Sequence, residues 1–348
     1  MSFITAGQRT SGVDLNSTQT LQNKTLNNTN TITVKDANLT IQDNADTTKQ
    51  AKFEASGITT GTTRTLTVPN ASGTLGFIID SQFFTADGTW TKPAGVTTTS
   101  MTYVKVQAAG GGGGSGRRGT AGNAAGGGGA ASGGYSEAWF RTADLPATVA
   151  ATVGQGGVGG AAVTTDNTNG NDGAKGGDSS FGTYVLAIGG EKANGGDAMS
   201  GNQGNATTVN SQFIGSSGGM GTTVNGIDSV DASYGAPSGG AGGGGIGFAA
   251  TGGSAGRTFG YNNNDFTNGG TVAGQAGTNG TSFPSYGPGT GGGGGAGSDT
   301  PATVNGGDGG NGGNYGAGGG GGGAAENGFN SGKGGNGGGG YVEVITFL

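Results

Sequence analysis

Glycine decides what this chain can become. It occupies 89 of 348 positions, and its distribution is lopsided: 8 glycines lie in residues 1–109 and 81 in the remaining 239, about a third of that stretch. Average usage is about 7%. Glycine gives up more backbone freedom on folding than any other residue and contributes no side chain to a core. Only 30% of the chain is hydrophobic, so a conventional apolar interior of full size is out of reach. Something other than side-chain burial has to hold residues 110–348 together, or the composition leaves them disordered.

Four architectures use this much glycine. A collagen triple helix needs glycine at strictly every third position with abundant proline, and there are 7 prolines in the whole chain. A flexible glycine–serine linker has no use for interleaved aromatics or for an alternating strand at its end. An arginine–glycine segment that binds RNA needs many arginines, whereas residues 110–348 hold only Arg117, Arg118, Arg141 and Arg257. The fourth is a lattice of polyproline-II-type helices made of glycine. Such a helix has three residues per turn and no internal hydrogen bonds. Without side chains, neighbours can approach until N–H and C=O groups bond laterally, with Cα–H···O contacts adding to the attraction. A net gain of about 1 kcal/mol per hydrogen bond cannot hold one such helix alone, so many runs are required.

The sequence supplies about ten. Three-residue spacing occurs at Gly170, Gly173 and Gly176, at Gly215, Gly218 and Gly221, and at Gly274, Gly277 and Gly280. Doubled glycines keep the same period through Gly306-Gly307-Asp308-Gly309-Gly310-Asn311-Gly312-Gly313 and around Gly334 to Gly338. A central run must be bare on all sides, which fits Gly291–Gly295 and Gly318–Gly323. Outer runs can carry a side chain on one side, as at Asn171 or Gln275. A run of eight residues spans roughly 25 Å at 3.1 Å per residue.

The first part of the chain reads differently. Thr31–Val34, Leu39–Ile41 and Arg64–Val68 alternate polar and aliphatic residues, the period of half-buried strands. Turn residues separate them, notably Asp43 to Asp46. Each strand offers too few apolar residues to bury within one chain, so symmetry-related copies are the simplest partner, with a small monomeric sandwich as the alternative. The resulting division is residues 1–76 as an attachment and β-shaft region that trimerises, 77–109 as transition strands, and 110–348 as the glycine-rich domain. Met101–Ala108 and Tyr341–Phe347 bracket the glycine block and are expected to pair and close it. The fold class is therefore all-β plus polyglycine-II helices, with no α-helical core.

Loops between the glycine runs are rich in Tyr, Phe, Asn, Asp and Ser, residues that combine rigid contact area with adaptable hydrogen bonding. They give the candidate binding residues Tyr234, Arg257, Tyr261, Asn263, Asp265, Phe266, Phe283 and Tyr286. Phe181, Phe213 and Phe248 read instead as caps over the ends of the lattice.

With no His and no Cys, Ser-His-Asp and Cys-His catalysis, thiolate zinc sites and disulfides are impossible. Paired carboxylates are the remaining catalytic chemistry, but Asp228, Asp231 and Asp265 sit where turns use Asp freely. Gly196-Asp197 and Gly307-Asp308 lack the nine-residue period of calcium-binding repeats, and 328–334 fails the phosphate-loop pattern. The expectation is no enzyme, no cofactor and no metal. A net charge of −6 argues against nucleic acid, no stretch is long and apolar enough for membrane insertion, and the N-terminus does not read as a secretory signal.

Leu21–Leu26, Val34–Asn44 and Arg64–Asn70 resemble the shaft and attachment regions of tailed-phage fibre proteins. Gly88-Thr89-Trp90-Thr91-Lys92-Pro93-Ala94-Gly95-Val96, followed by a strand and a glycine block, resembles the glycine-rich domains at the ends of such fibres. Glycine-rich tip adhesins of T-even-like phages use a polyglycine-II sandwich whose end loops contact the bacterial surface. The resemblance implies a virion-displayed receptor-binding fibre made in the host cytoplasm. Its partners would be further copies in a homotrimer, a second virion protein at the N-terminus, and a bacterial surface protein or glycan at the loops. In those adhesins the glycine-rich part is a separate chain, whereas here shaft-like and glycine-rich parts are joined. The alternative is a structural virion component, such as a head fibre or decoration protein, that binds no receptor.

Overall fold

The computed structural model describes residues 40–52, 55–56, 58–63, 78–206, 213–230, 237–246, 267–282 and 288–347. The chain divides into two compact units, Met1–Thr74 and Leu75–Leu348. In the first, β1 (Thr40–Gln42) and β2 (Gln50–Lys52) form an antiparallel hairpin. Asp43 makes the turn between them, its Oδ1 accepting the N–H groups of Ala45 and Asp46 at 2.8 Å. Ile41 is 55% exposed. Thr31–Val34 and Arg64–Val68 lie outside the described residues.

The second unit begins as a small two-sheet sandwich. Its strands are β3 (Ile78–Phe84), β4 (Gly88–Thr91) and β5 (Met101–Gln107), a two-residue β6 (Arg118–Gly119), β7 (Tyr135–Arg141), β8 (Thr148–Thr152), β9 (Ser179–Phe181) and β10 (Val185–Ala187). Three more two-residue strands, β11 (Ser200–Gly201), β12 (Gly221–Thr222) and β13 (Ala325–Glu326), precede the long terminal strand β14 (Tyr341–Phe347); β11 pairs with β12 and β13 with β6. One sheet has the order β3-β14-β5-β7, the other β10-β9-β8-β4. β14 and β5 pair antiparallel from Tyr341↔Gln107 to Phe347↔Met101, so the strands that bracket the glycine block do meet. Val104, Val106, Val342 and Val344 alternate inward and pack with Trp90, Val149, Phe181 and Val185. Trp90 and Phe181, both fully buried, meet edge to face at 5.7 Å. Residues 77–109, read from sequence as a transition, thus supply strands to both sheets of this unit. Among the described residues there is no α-helix, only a 3-10 turn at Thr142–Asp144.

From the end of this sandwich the glycine runs extend side by side, and their hydrogen bonds repeat every three residues. Run 108–118 shows the rule. Ala108, Gly111, Gly114 and Arg117 donate to the carbonyls of Gly134, Ala131, Gly128 and Ala125. Ala109, Gly112, Ser115 and Arg118 donate to Gly177, Ala174, Asn171 and Thr168. Gly110, Gly113 and Gly116 donate to Gly338, Gly335 and Gly332. The partner numbers fall as the donor numbers rise, so these three neighbours are antiparallel. Three parallel neighbours donate back: Gly157 and Gly160, then Gly190, Ala193 and Gly196, then Gly319, Gly322 and Ala325. Six runs therefore surround one, and its N–H groups are all taken. That satisfies the demand that buried backbone groups be paired.

Runs 124–134 and 316–325 are enclosed in the same way. In the latter, Gly318, Gly321 and Ala324 donate to Ser238, Ala241 and Gly244, while Gly320 and Gly323 donate to Gly310 and Gly307. A Cβ added at any glycine from Gly318 to Gly323 would fall on a neighbouring carbonyl. The expectation that this run and Gly291–Gly295 are bare because they are central therefore has a direct steric reason. Where a neighbour is missing, a side chain stands: Asn171 and Gln275 are exposed. In run 305–314 the third positions Asn305, Asp308, Asn311 and Asn314 accept the N–H groups of Asn330, Lys333, Asn336 and Gly339 through their Oδ1 atoms. One spacing needs correction. Gly274 has φ +71° and ends a turn, so only Gly277 and Gly280 belong to the run that begins there.

Candidate functional site

All eight candidate binding residues read from the sequence, Tyr234, Arg257, Tyr261, Asn263, Asp265, Phe266, Phe283 and Tyr286, lie outside the described residues, as does Phe248. Of the other expected caps, Phe181 is buried between the sheets, and Phe213 is 39% exposed with its ring 5.9 Å from that of Tyr135.

Several of the described turns lie at the end of the glycine runs remote from the sheets, whereas the turn at Asn314–Gly316 lies at the sheet end. The runs leave β5, β8 and β10 at one end and reach turns at the other, where Arg118 pairs with Thr168, Ala125 donates to the Asp197 carbonyl, and Gly126 donates to Thr222. Two of these turns are riveted together. Asn167, in the left-handed region at φ 53°, donates its N–H to Asn327 Oδ1 at 3.0 Å, and Asn327 Nδ2 returns a 3.0 Å bond to Asn167 Oδ1. Asp166 accepts the Gly328 N–H at 2.9 Å and lies 2.6 Å from Arg118 Nε. Arg118 also donates to Asn330 Oδ1, and Arg117 donates to Asn169 Oδ1.

Four further turns at this pole share a design. Each is pinned by a side-chain acceptor near its own base, and each carries one exposed aliphatic or thioether side chain, from Met199 at 80% to Val304 at 38%, which also packs against Gly274. Asp197 Oδ1 accepts the N–H groups of Met199 and Ser200 at 2.7 Å, and Met199 is 80% exposed. Thr222 Oγ1 accepts the Val224 N–H and donates to the Asn225 carbonyl. Gln275 Oε1 accepts the Thr271 N–H at 2.8 Å, beside the exposed Val272. Asp299 accepts the N–H and hydroxyl of Thr303, next to Val304.

Three carboxylates at these turns are held in their charged form. Backbone donation from Ser200 and Met199 holds Asp197 below the ordinary carboxylate range. The Gly328 N–H, with Arg118 adding its charge, does the same for Asp166, and Thr303 for Asp299. These carboxylates are anions committed to amide donors, so none is a general acid at neutral pH. Among the described residues no three His, Cys, Asp or Glu side chains cluster to hold a metal ion, and no helix is long and apolar enough to cross a membrane.

Met199, Val224, Val272 and Val304 were not chosen from the sequence as contact residues. A signal was present: Thr223-Val224-Asn225-Gly226 and Thr303-Val304-Asn305-Gly306 share one tetrapeptide, and Thr271-Val272-Ala273-Gly274 differs at one position. A lone Val in a polar, Gly-ended turn has no core to enter. No protein-family model matches this chain, and no curated protein matches it in sequence.

Proposed function

We propose that residues 110–340 form a polyglycine-II lattice, and that the chain is a receptor-binding fibre component of a tailed-phage virion. In this reading residues 1–76 trimerise and attach to another virion protein. The lattice is a rigid spacer, and the turns at its remote pole meet a bacterial surface protein or glycan. The observation that carries the proposal is the joint placement of chain entry and turns. The chain enters the second unit through β3, whose first residue Ile78 pairs with Phe347 at the sheet end, while the pinned turns bearing Met199, Val224, Val272 and Val304 lie at the other end. The three-residue recurrence of partners around run 108–118 supports the lattice, because a helix of three residues per turn points successive amides at three neighbours. Many copies on one particle would bind by avidity, so modest affinity at each site suffices.

The test is adsorption of particles that carry variant chains. Changing Met199, Val224, Val272 and Val304 together to Ser, or scrambling 257–266 with 281–286, is expected to reduce adsorption or shift host range while particles still assemble. Unchanged adsorption and host range in both contradict the proposal. Deletion of 110–348 that leaves infectivity normal but particles less stable would assign the structural virion role instead.

A further inference from the structure

One glycine of the lattice has no packing reason to be glycine. A Cβ added at Gly110, Gly113, Gly320 or Gly335 would fall on the backbone of a neighbouring run. At Gly339 the nearest heavy atom to such a Cβ is the Gly154 carbonyl oxygen, 3.9 Å away, and its φ is not in the left-handed region. Gly339 is among the residues that line a groove of about 500 Å³ at the junction of lattice and sheets. That volume lies within the range of small-ligand sites.

The walls are Tyr315, Asn314, Asn336, Gln155 and Thr85, with no charged side chain among the lining residues. Tyr315 is held in place by two rings, Tyr341 at 5.1 Å and Phe83 at 5.9 Å, both in edge-on geometry. The two asparagines are fixed through their carbonyl oxygens. Asn336 Oδ1 accepts the Gly159 N–H at 2.9 Å, and Asn314 Oδ1 accepts the Gly339 N–H at 3.3 Å. With its oxygen committed, each carboxamide keeps a two-proton Nδ2 donor in a set orientation. The backbone N–H of Asn336 is bonded to Asn311 Oδ1 and that of Asn314 to Ser282 Oγ, so neither asparagine needs to move to receive a ligand. Pre-ordered donors lower the cost of binding.

We propose that this groove binds a neutral saccharide. An aromatic ring, fixed amide donors, a hydroxyl and a bare glycine in the lining suit a ligand with an apolar ring face and many hydroxyls. The absence of charge in the lining favours an uncharged sugar over an acidic one. The site is separate from the turns at the remote pole and does not depend on the virion reading.

The experiment uses the purified full chain and a printed panel of neutral oligosaccharides of glucose, galactose, mannose, rhamnose and N-acetylglucosamine, followed by calorimetry on those that bind. At least one is expected to bind. Gly339→Trp, which adds bulk to the lining, is expected to weaken that binding at least tenfold with the melting transition in place. Tyr315→Leu reads the same site without added bulk and is expected to show a similar loss. The proposal is overturned if no neutral saccharide on the panel binds the unaltered chain, or if Gly339→Trp and Tyr315→Leu, each still folded, bind as it does.

Discussion

The amide of Gly113 lies 2.9 Å from the carbonyl oxygen of Gly335, and at both residues the place a Cβ would take is already filled by backbone. At Gly113 the occupant is Gly320, at Gly335 it is Gly310. Close approach of main chains and the lateral hydrogen bond are therefore one fact. Gly113→Ala is expected to push the runs apart and break bonds to several neighbours. Overpacking costs typically 1–3 kcal/mol before lost hydrogen bonds are counted, so we expect destabilisation of at least about 3 kcal/mol. Denaturant unfolding measures it.

Gly339 gives the opposite expectation. With open space at its Cβ position and an ordinary φ, Gly339→Ala removes conformational freedom from the unfolded chain at little cost to the folded one. Such changes stabilise by about 0.4–1 kcal/mol. A rise in melting temperature beside a large fall for Gly113→Ala would separate steric exclusion from any general penalty for losing glycine.

Gln107 is the seam between sheet and lattice. Its buried Nε2 donates to the carbonyls of Ala108, Gly133 and Gly134 at 3.0, 3.2 and 3.0 Å. Gln107→Leu keeps the bulk but withdraws this donor from the Ala108 and Gly133 carbonyls, each costing about 1–3 kcal/mol when left unpaired, while the Gly134 carbonyl keeps the Ala108 N–H. A loss of about 3 kcal/mol is expected, measurable by calorimetry.

The pH dependence follows from two groups of side chains. Asp166, Asp197 and Asp299 are held below their free value of 3.8. A depressed folded-state value gives stability that is complete above 3.8 and is lost as pH falls through the lower folded values. The melting temperature should therefore fall in the acid range below about pH 4, and Asp197→Asn with Asp299→Asn should flatten that limb, since the amide oxygen still accepts the turn N–H. At the alkaline end, burial and then hydrogen bonds to Glu137 push Tyr103 up to about 12 and Tyr135 up as well. Glu137 Oε2 accepts both hydroxyls, at 2.5 and 2.7 Å. Their stabilisation is complete below the free tyrosine value of 10 and is lost as pH rises toward 12. Spectrophotometric titration should show late-ionising tyrosines, and Glu137→Gln should bring them down.

The strands β5 and β14 were legible because Met101–Gln107 and Tyr341–Phe347 alternate over seven residues. The bare runs around Gly291 and Gly318 were legible because enclosure on all sides forbids any Cβ there. The second sheet was not: Thr148–Thr152, Ser179–Phe181 and Val185–Ala187 are short and carry small side chains, so their strand character comes from packing on Trp90 rather than from pattern. Run 124–134 was missed as a central run because it contains Ala124, Ala125, Ala130 and Ala131, all fully buried. A methyl is accommodated at these four buried positions, and sequence spacing alone does not mark them. The pinned turns escaped notice for a different reason: their acceptors, Asp197, Thr222, Gln275 and Asp299, look like ordinary turn residues until the runs bring their exposed neighbours to one pole.

Backbone amide exchange across runs 108–118, 124–134 and 316–325 tests the central claim most directly. If lateral main-chain bonding holds these runs, their glycine amides exchange only through global unfolding and are slowed at least about a thousandfold, the lower end of folding equilibrium constants for stable domains. Exchange at unstructured-chain rates in those three runs, with protection confined to the β-sandwich, would contradict it.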